Sequence, residues 1–249
     1  ILGTIFVQTK TNTGQFKSEL IISGRGGKTI IQGQTLPNPI GKLTVKKDAN
    51  VELQQSIRIE TLESDNTGTL TISGPAQVNI SASEDLKLGT QCNIRINKDA
   101  GLVFTGDVLV SGNNPELIVD GQLEARKLSI GKRGKLALES TGILKIDSLE
   151  VEENSHVEIK DGGKLVARDM TTNLQQIMLG YKSSLTYNEQ NVIVAASQFH
   201  MSSLSTLKST TAMKNITILA DVMTMETDAE ISVKGGGELI GPGGGGPTK

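Results

Sequence analysis

The sequence predicts an all-β chain wound as a right-handed parallel β-helix, a β-solenoid with about three short strands per rung of 20–24 residues. Three observations predict it. Apolar residues come in i, i+2 pairs, the alternation of a strand with one buried face. The pairs return at a fixed step along the chain. The 249 residues hold 28 glycines and no Trp, and aromatics are 2% of the total. Such a chain must fill its interior without the rings on which globular cores usually lean.

The period is clearest between Leu123 and Met170. Leu123, Leu144 and Leu165 stand 21 residues apart, as do Ala125, Ile146 and Ala167, and Leu128, Leu149 and Met170. Three pairs complete one period. Ladder A holds Leu86/Leu88, Val108/Val110, Leu128/Ile130 and Leu149/Val151. Ladder B holds Leu70/Ile72, Ile94/Ile96, Leu117/Val119, Leu136/Leu138 and Val157/Ile159. Ladder C holds Val78/Ile80, Leu102/Phe104, Leu123/Ala125, Leu144/Ile146 and Leu165/Ala167. Turn residues separate the pairs, as in Gly131–Lys132–Arg133–Gly134 and Ser140–Thr141–Gly142. Each short strand is therefore expected to stack on its equivalent one period later. Roughly nine rounds between Leu43 and Val233, at about 4.8 Å each, make a rod about 40 Å long. Strand twist favours right-handed parallel connections. Phe104, one of few rings, falls on an inward position and should be buried.

Upstream, Leu43/Val45, Val51/Leu53 and Ile57/Ile59 fit one further round. Downstream the pattern runs through Leu185/Tyr187, Val192/Val194, Ile216/Ile218 and Ile231/Val233. A β-sandwich also needs short strands and Gly-rich turns, but a 21-residue step in three registers counts against it. The chain divides into 1–42, a cap or irregular first rungs, 43–234, the solenoid, and 235–249, a Gly/Pro-rich linker or docking tail. It opens at Ile1 rather than Met, which suggests a processed protein or a piece of a longer one.

Composition narrows the functions. With 25 basic and 27 acidic residues the formal net charge is -2, which gives no field to gather nucleic acid. No apolar run approaches the length of a membrane helix. Cys92 is alone, so no internal disulfide forms. Gly24–Arg25–Gly26–Gly27–Lys28–Thr29 fails the phosphate-loop pattern, because Ile22 stands where that pattern needs its first glycine. His156 and His200 lie far apart, and a zinc site needs a cluster of ligands. A turn carboxylate such as Asp161 is the remaining calcium candidate. No outer ladder gathers two carboxylates and a base as a glycosidase would. Asn79, Val103, Glu124, Lys145 and Val166 point outward on ladder C, and Lys87, Leu109, Ser129 and Glu150 on ladder A. Glu124 and Lys145 are expected as stacked neighbours. No catalytic residue, metal ligand or cofactor site emerges. Asn79–Ile80–Ser81 and Asn215–Ile216–Thr217 match the N-glycosylation acceptor pattern, with Asn79 and Asn215 both expected at the surface.

The strand ladder, with Ala229–Glu230–Ile231–Ser232–Val233–Lys234–Gly235–Gly236–Gly237 leading to a Gly-Pro-Gly run, resembles large repetitive extracellular β-solenoid surface proteins of adhesin-like or filament-forming type. That resemblance implies a structural or adhesive role and carries over no catalytic residue. The expectation is a non-enzymatic extracellular or cell-surface module, a segment of a longer chain or a fibre-forming subunit. Its partners would be further copies end to end or neighbouring domains, with glycans as candidate ligands. The alternative is a carbohydrate-active or glycan-binding β-helix of polysaccharide lyase or tail-spike type. A cytoplasmic polymerising scaffold is a third reading, differing in compartment.

Overall fold

The computed structural model describes residues 3–10, 16–24, 27–32, 39–64, 67–81, 86–88, 91–160, 163–167, 174–187, 191–209 and 215–232. Twenty-six strands, numbered in chain order, fall into three sheets, and no helix occurs among the described residues. Among the described residues no helix is long and apolar enough to cross a membrane. The sheet of ladder C runs β1 (Gly3–Lys10), β2 (Phe16–Ser23), β4 (Ile40–Val45), β6 (Ile57–Ser64), β8 (Gln77–Ile80), β11 (Gly101–Phe104), β14 (Gln122–Glu124), β17 (Ile143–Ile146) and β20 (Lys164–Ala167). The sheet of ladder B runs β3 (Lys28–Ile31), β5 (Asn50–Leu53), β7 (Thr69–Ile72), β10 (Asn93–Ile96), β13 (Glu116–Val119), β16 (Lys135–Leu138), β19 (His156–Ile159), β22 (Ser184–Tyr187), β24 (Thr206–Ser209) and β26 (Glu230–Ser232). The sheet of ladder A runs β9 (Leu86–Leu88), β12 (Asp107–Val110), β15 (Lys127–Ile130), β18 (Ser148–Val151), β21 (Leu174–Leu179), β23 (Asn191–Met201) and β25 (Asn215–Met225).

All pairings but one are parallel, and like residues stack: Leu123 on Leu102, Leu144 on Leu123, Leu165 on Leu144. The chain is a parallel β-solenoid, and its single core is a column of aliphatic side chains. Leu, Ile and Val suit this narrow interior because branched side chains pack well on a pleated surface. Phe104 is 1% exposed, as its inward position predicts. Gly106 makes room for its ring, since a Cβ there would lie 3.0 Å from Phe104 Cε1.

The rung length is less regular than the 21-residue repeat suggests. Stacked residues are 19 apart from Val51 to Leu70 and 28 apart from Val157 to Leu185. The expectation that Met170 continues the ladder above Leu149 is wrong: Ile177 stacks there. That rung carries seven more residues than the 21-residue step from Leu128 to Leu149, so its register shifts while its strand faces persist.

The two ends share a device that the middle lacks. In the middle rungs, three short strands make three faces. In β23 and β25, one unbroken 11-residue strand serves two faces and bends between them. Inward residues of β23 are Val194 and Ala196, then Phe199 and Met201, so the alternation slips by one residue at the bend. The eight-residue β6 does similar work near the other end, pairing with β8 through Ile57–Ile59 and with β4 along most of its length.

The corners have their own chemistry. Nine non-glycine residues with φ between 53° and 68° sit two positions before successive ladder-B strands: Asp48, Thr67, Gln91, Asn114, Arg133, Asn154, Lys182, Leu204 and Asp228. Where the next residue donates its N–H three positions back, as Ala49 does to Lys46 O (3.0 Å) and Ser205 to Ser202 O (3.0 Å), the corner is a turn needing positive φ at its third residue. The residue that follows faces the core and is small: Ala49, Cys92, Ser155, Ser183 and Ser205 are all buried. Glycine acts at another corner and for another reason. Gly121 and Gly142 lead from ladder B to ladder C, where a Cβ would lie 2.2 Å from the carbonyl oxygens of Ala100 and Val119 respectively. Neither has positive φ. These glycines permit close approach of stacked backbones.

Candidate functional site

The outer surface is built from charged and polar residues that alternate with the core positions, and its groups are largely engaged with the adjacent rung. Lys42 Nζ lies 2.8 Å from Glu63 and 3.8 Å from Glu19, one rung above and one below. Arg126 reaches Asp107 at 2.6 Å, Lys127 reaches Glu150 at 2.5 Å, Lys132 reaches Glu153 at 3.6 Å and Lys160 reaches Glu139 at 2.8 Å. Each pair spans one rung. The uncharged contacts follow the same step: Thr141 Oγ1 donates within 2.6 Å of Asp120, and Thr67 Oγ1 donates to Asp48 at 2.7 Å. This is the pairing of opposite side chains on neighbouring strands.

Glu52 is the most perturbed carboxylate. Lys28, then Ser73 and Gln54, hydrogen-bond its carboxylate and draw its pKa down to about 2. Glu52 is nonetheless buried, and desolvation opposes that shift. Lys42 and Lys160 are held above their ordinary pKa by hydrogen bonds to Glu63 and Glu139 respectively.

The residues singled out by sequence fall apart in space. Asn79 is exposed on β8, between Arg58 below and Val103 above. Asn215 opens β25 beside Asn191, and its side chain lies outside the described residues. Lys28 begins β3, so a strand follows the Gly24–Thr29 stretch, whose Arg25 and Gly26 are outside the description. Asp161 is also outside it. Glu124 and Lys145 are stacked neighbours. Cys92 is fully buried, its Sγ–H donating to Ser64 Oγ at 2.8 Å, and burial pushes the thiol pKa up. Among the described residues no group of three or more His, Cys, Asp or Glu gathers to hold a metal ion.

One contact that sequence reading misses joins His156 and Ser184, whose Nδ1 and Oγ are 2.6 Å apart across adjacent rungs. The 28-residue rung hides this pair from a search at 21. Burial, with help from Lys208 and Lys135, lowers the imidazole pKa, while Glu158 opposes. A histidine beside a serine suggests an activated nucleophile. Both residues occupy the outer column that also holds Lys135 and Thr206. The contact reads as a polar rung-to-rung bond.

Two further surface features stand out among the described residues. A shallow polar depression follows one corner, lined by Gln77, Lys98, Asp99, Asp120, Gln122 and Thr141. The other is the last described rung. There Met223 and Met225 stand over Phe199 and Met201 in the inward register, yet they are 41% and 43% exposed whereas the residues beneath are 1% and 0%. Leu219 and Val222 on the same strand are exposed as well. Comparison with family models, with curated proteins and with solved structures returns no match to this chain.

Proposed function

We propose that the chain is a non-enzymatic structural or adhesive module of an extracellular or cell-surface protein, a segment of a longer rod or a subunit that assembles end to end. The observation that carries this reading is that the ion pairs of the outer ladders join adjacent rungs. Charges used in this way tie one rung to the next along the stack. The exposed apolar residues of β25, the last described strand of its sheet, add a surface suited to self-association. Exposure of Asn79 agrees with a secreted setting in which that asparagine carries a glycan. Electron microscopy of the native protein tests the reading: rods or filaments support it, and compact particles that degrade a polysaccharide overturn it. Glycopeptide mass spectrometry tests the compartment, with hexose or N-acetylhexosamine on Asn79 or Asn215 as the expected result.

The second reading, a glycan-binding β-helix, draws on the polar depression beside Asp99 and Asp120. Sugar subsites commonly use aromatic platforms. Of the aromatic side chains described, Phe104, Tyr187 and Phe199 are buried and Tyr181 is exposed, at a different corner from the depression. A glycan array returning a saturable ligand that Asp120→Ala abolishes would favour this second reading.

A further inference from the structure

The geometry points to the β25 edge as the interface of a two-fold, tail-to-tail dimer, in which β25 pairs antiparallel with β25 of a second copy. This inference rests on the structural reading above and gives it a specific contact.

Three observations carry it. First, β25 is an 11-residue strand at the edge of its sheet, and among the described residues no strand pairs with its outer side. Edge strands are normally blunted by Lys, Pro or a cover. Asn215–Met225 holds neither Lys, Arg, Pro nor Gly, and Asp221 is its one charge. Second, its inward positions are apolar and unfinished: Ile216, Ile218 and Ala220 on one arm, Met223 and Met225 on the other. Third, the bend makes this strand self-complementary. With the two-fold between Ala220 and Asp221, Ile216 falls opposite Met225 and Ile218 opposite Met223, inward residue against inward residue. Outward Thr217 then meets Thr224, and Leu219 meets Val222. A straight strand cannot do this, because a two-fold between adjacent residues would set inward against outward. The slip in alternation at the bend restores the match on both arms.

Other occupants fit less well. At the opposite end the edge is β1, which pairs antiparallel with β2 and sets Thr4, Phe6 and Gln8 opposite Ile22, Leu20 and Ser18. Those three register positions hold one large apolar residue, whereas all five inward positions of β25 are apolar. Residues 233–249 contain eight Gly and two Pro, with Val233, Leu239 and Ile240 as their large apolar residues. Such a composition supplies no long apolar strand to lie on β25.

The test uses the full chain with Thr217→Cys and Thr224→Cys, singly and together. Opposed residues of an antiparallel pair bring their Cβ atoms to about 5 Å, close enough for a disulfide, and Cys92 is buried. We expect sedimentation at twice the 26.4 kDa chain mass. On mild oxidation the double variant should become a covalent dimer, and neither single variant should. Met223→Lys with Met225→Lys should restore the monomer while keeping a cooperative thermal transition. A monomer at tens of micromolar, equal cross-linking by the single variants, or a dimer that survives the lysine pair would each overturn the proposal. Long assemblies without the 217–224 cross-link would overturn the two-fold pairing and leave the structural reading standing.

Discussion

The two ends of this rod finish differently. At the N-terminal end β1 reverses direction and pairs antiparallel with β2, from Gly3 opposite Ser23 to Lys10 opposite Phe16. Toward the other end the last described strands, β25 and β26, run parallel to the strands beneath, and the inward methionines of β25 are exposed among the described residues. The difference separates two roles of a rung. A rung with neighbours on both sides buries its inward side chains. A terminal rung presents the same side chains to whatever comes next, so an identical residue pattern makes core in one place and a surface for contact in the other.

The largest expected effect breaks that comparison at a single step. Phe199→Ala should cost about 3–5 kcal/mol, as for a buried aromatic, whereas Met223→Ala directly above it should cost under about 1 kcal/mol in the isolated chain. Chemical denaturation checks both, and equal losses would mean that the last rung is already covered. Next comes the corner at Gly142, where a Cβ would strike Val119 O at 2.2 Å. Gly142→Ala should lose about 1–3 kcal/mol, read as a lower melting temperature.

Acid should then distinguish the ends. Glu52, near the N-terminal end, has a folded pKa near 2 against its ordinary 4.5. Its stabilisation is complete above about pH 4.5 and disappears as pH falls towards 2. Glu226, near the other end, is also shifted down, chiefly by the backbone N–H and hydroxyl of Ser203, but it lies in solvent and should matter less. Hydrogen exchange at pH 3 and pH 6 should show the rungs around β3 and β5 loosening first, and Glu52→Gln should remove that difference. The smallest effect is at Leu204, an exposed leucine with φ 58°. Leu204→Asn should gain about 0.5 kcal/mol, since Asn tolerates the left-handed region better, and should raise the melting temperature by about 1–2 degrees.

Much of this fold was legible because stacking copies a sequence period directly into space. Leu102, Leu123, Leu144 and Leu165 share a sheet because each carries the same inward position one turn on. The corner conformations were hidden because the left-handed positions are held by acidic, basic, amide and aliphatic residues alike, such as Asp48, Arg133, Asn154 and Leu204. What unites them is the small buried residue that follows, and a lone cysteine was easily read apart from that column. Met170 misled because a seven-residue insertion preserves apolar alternation while displacing it. The outer charge pairs were visible only in outline, at Glu124 and Lys145, since side-chain reach depends on the local rung length. The exposure of the last described rung could not be read from the sequence either, because Ile216 and Met223 carry the same alternation as the core residues beneath them.

The ladder arrangement also sets how the rod would respond to a pull along its axis. The hydrogen bonds between rungs run along that axis, so tension loads one interface at a time and the end rung peels first. A released rung of 21 residues would lengthen from about 5 Å of height to roughly 70 Å of extended chain. A tethered array of such rungs would behave as a mechanical fuse, yielding length in discrete increments while the rungs behind the break keep their shape.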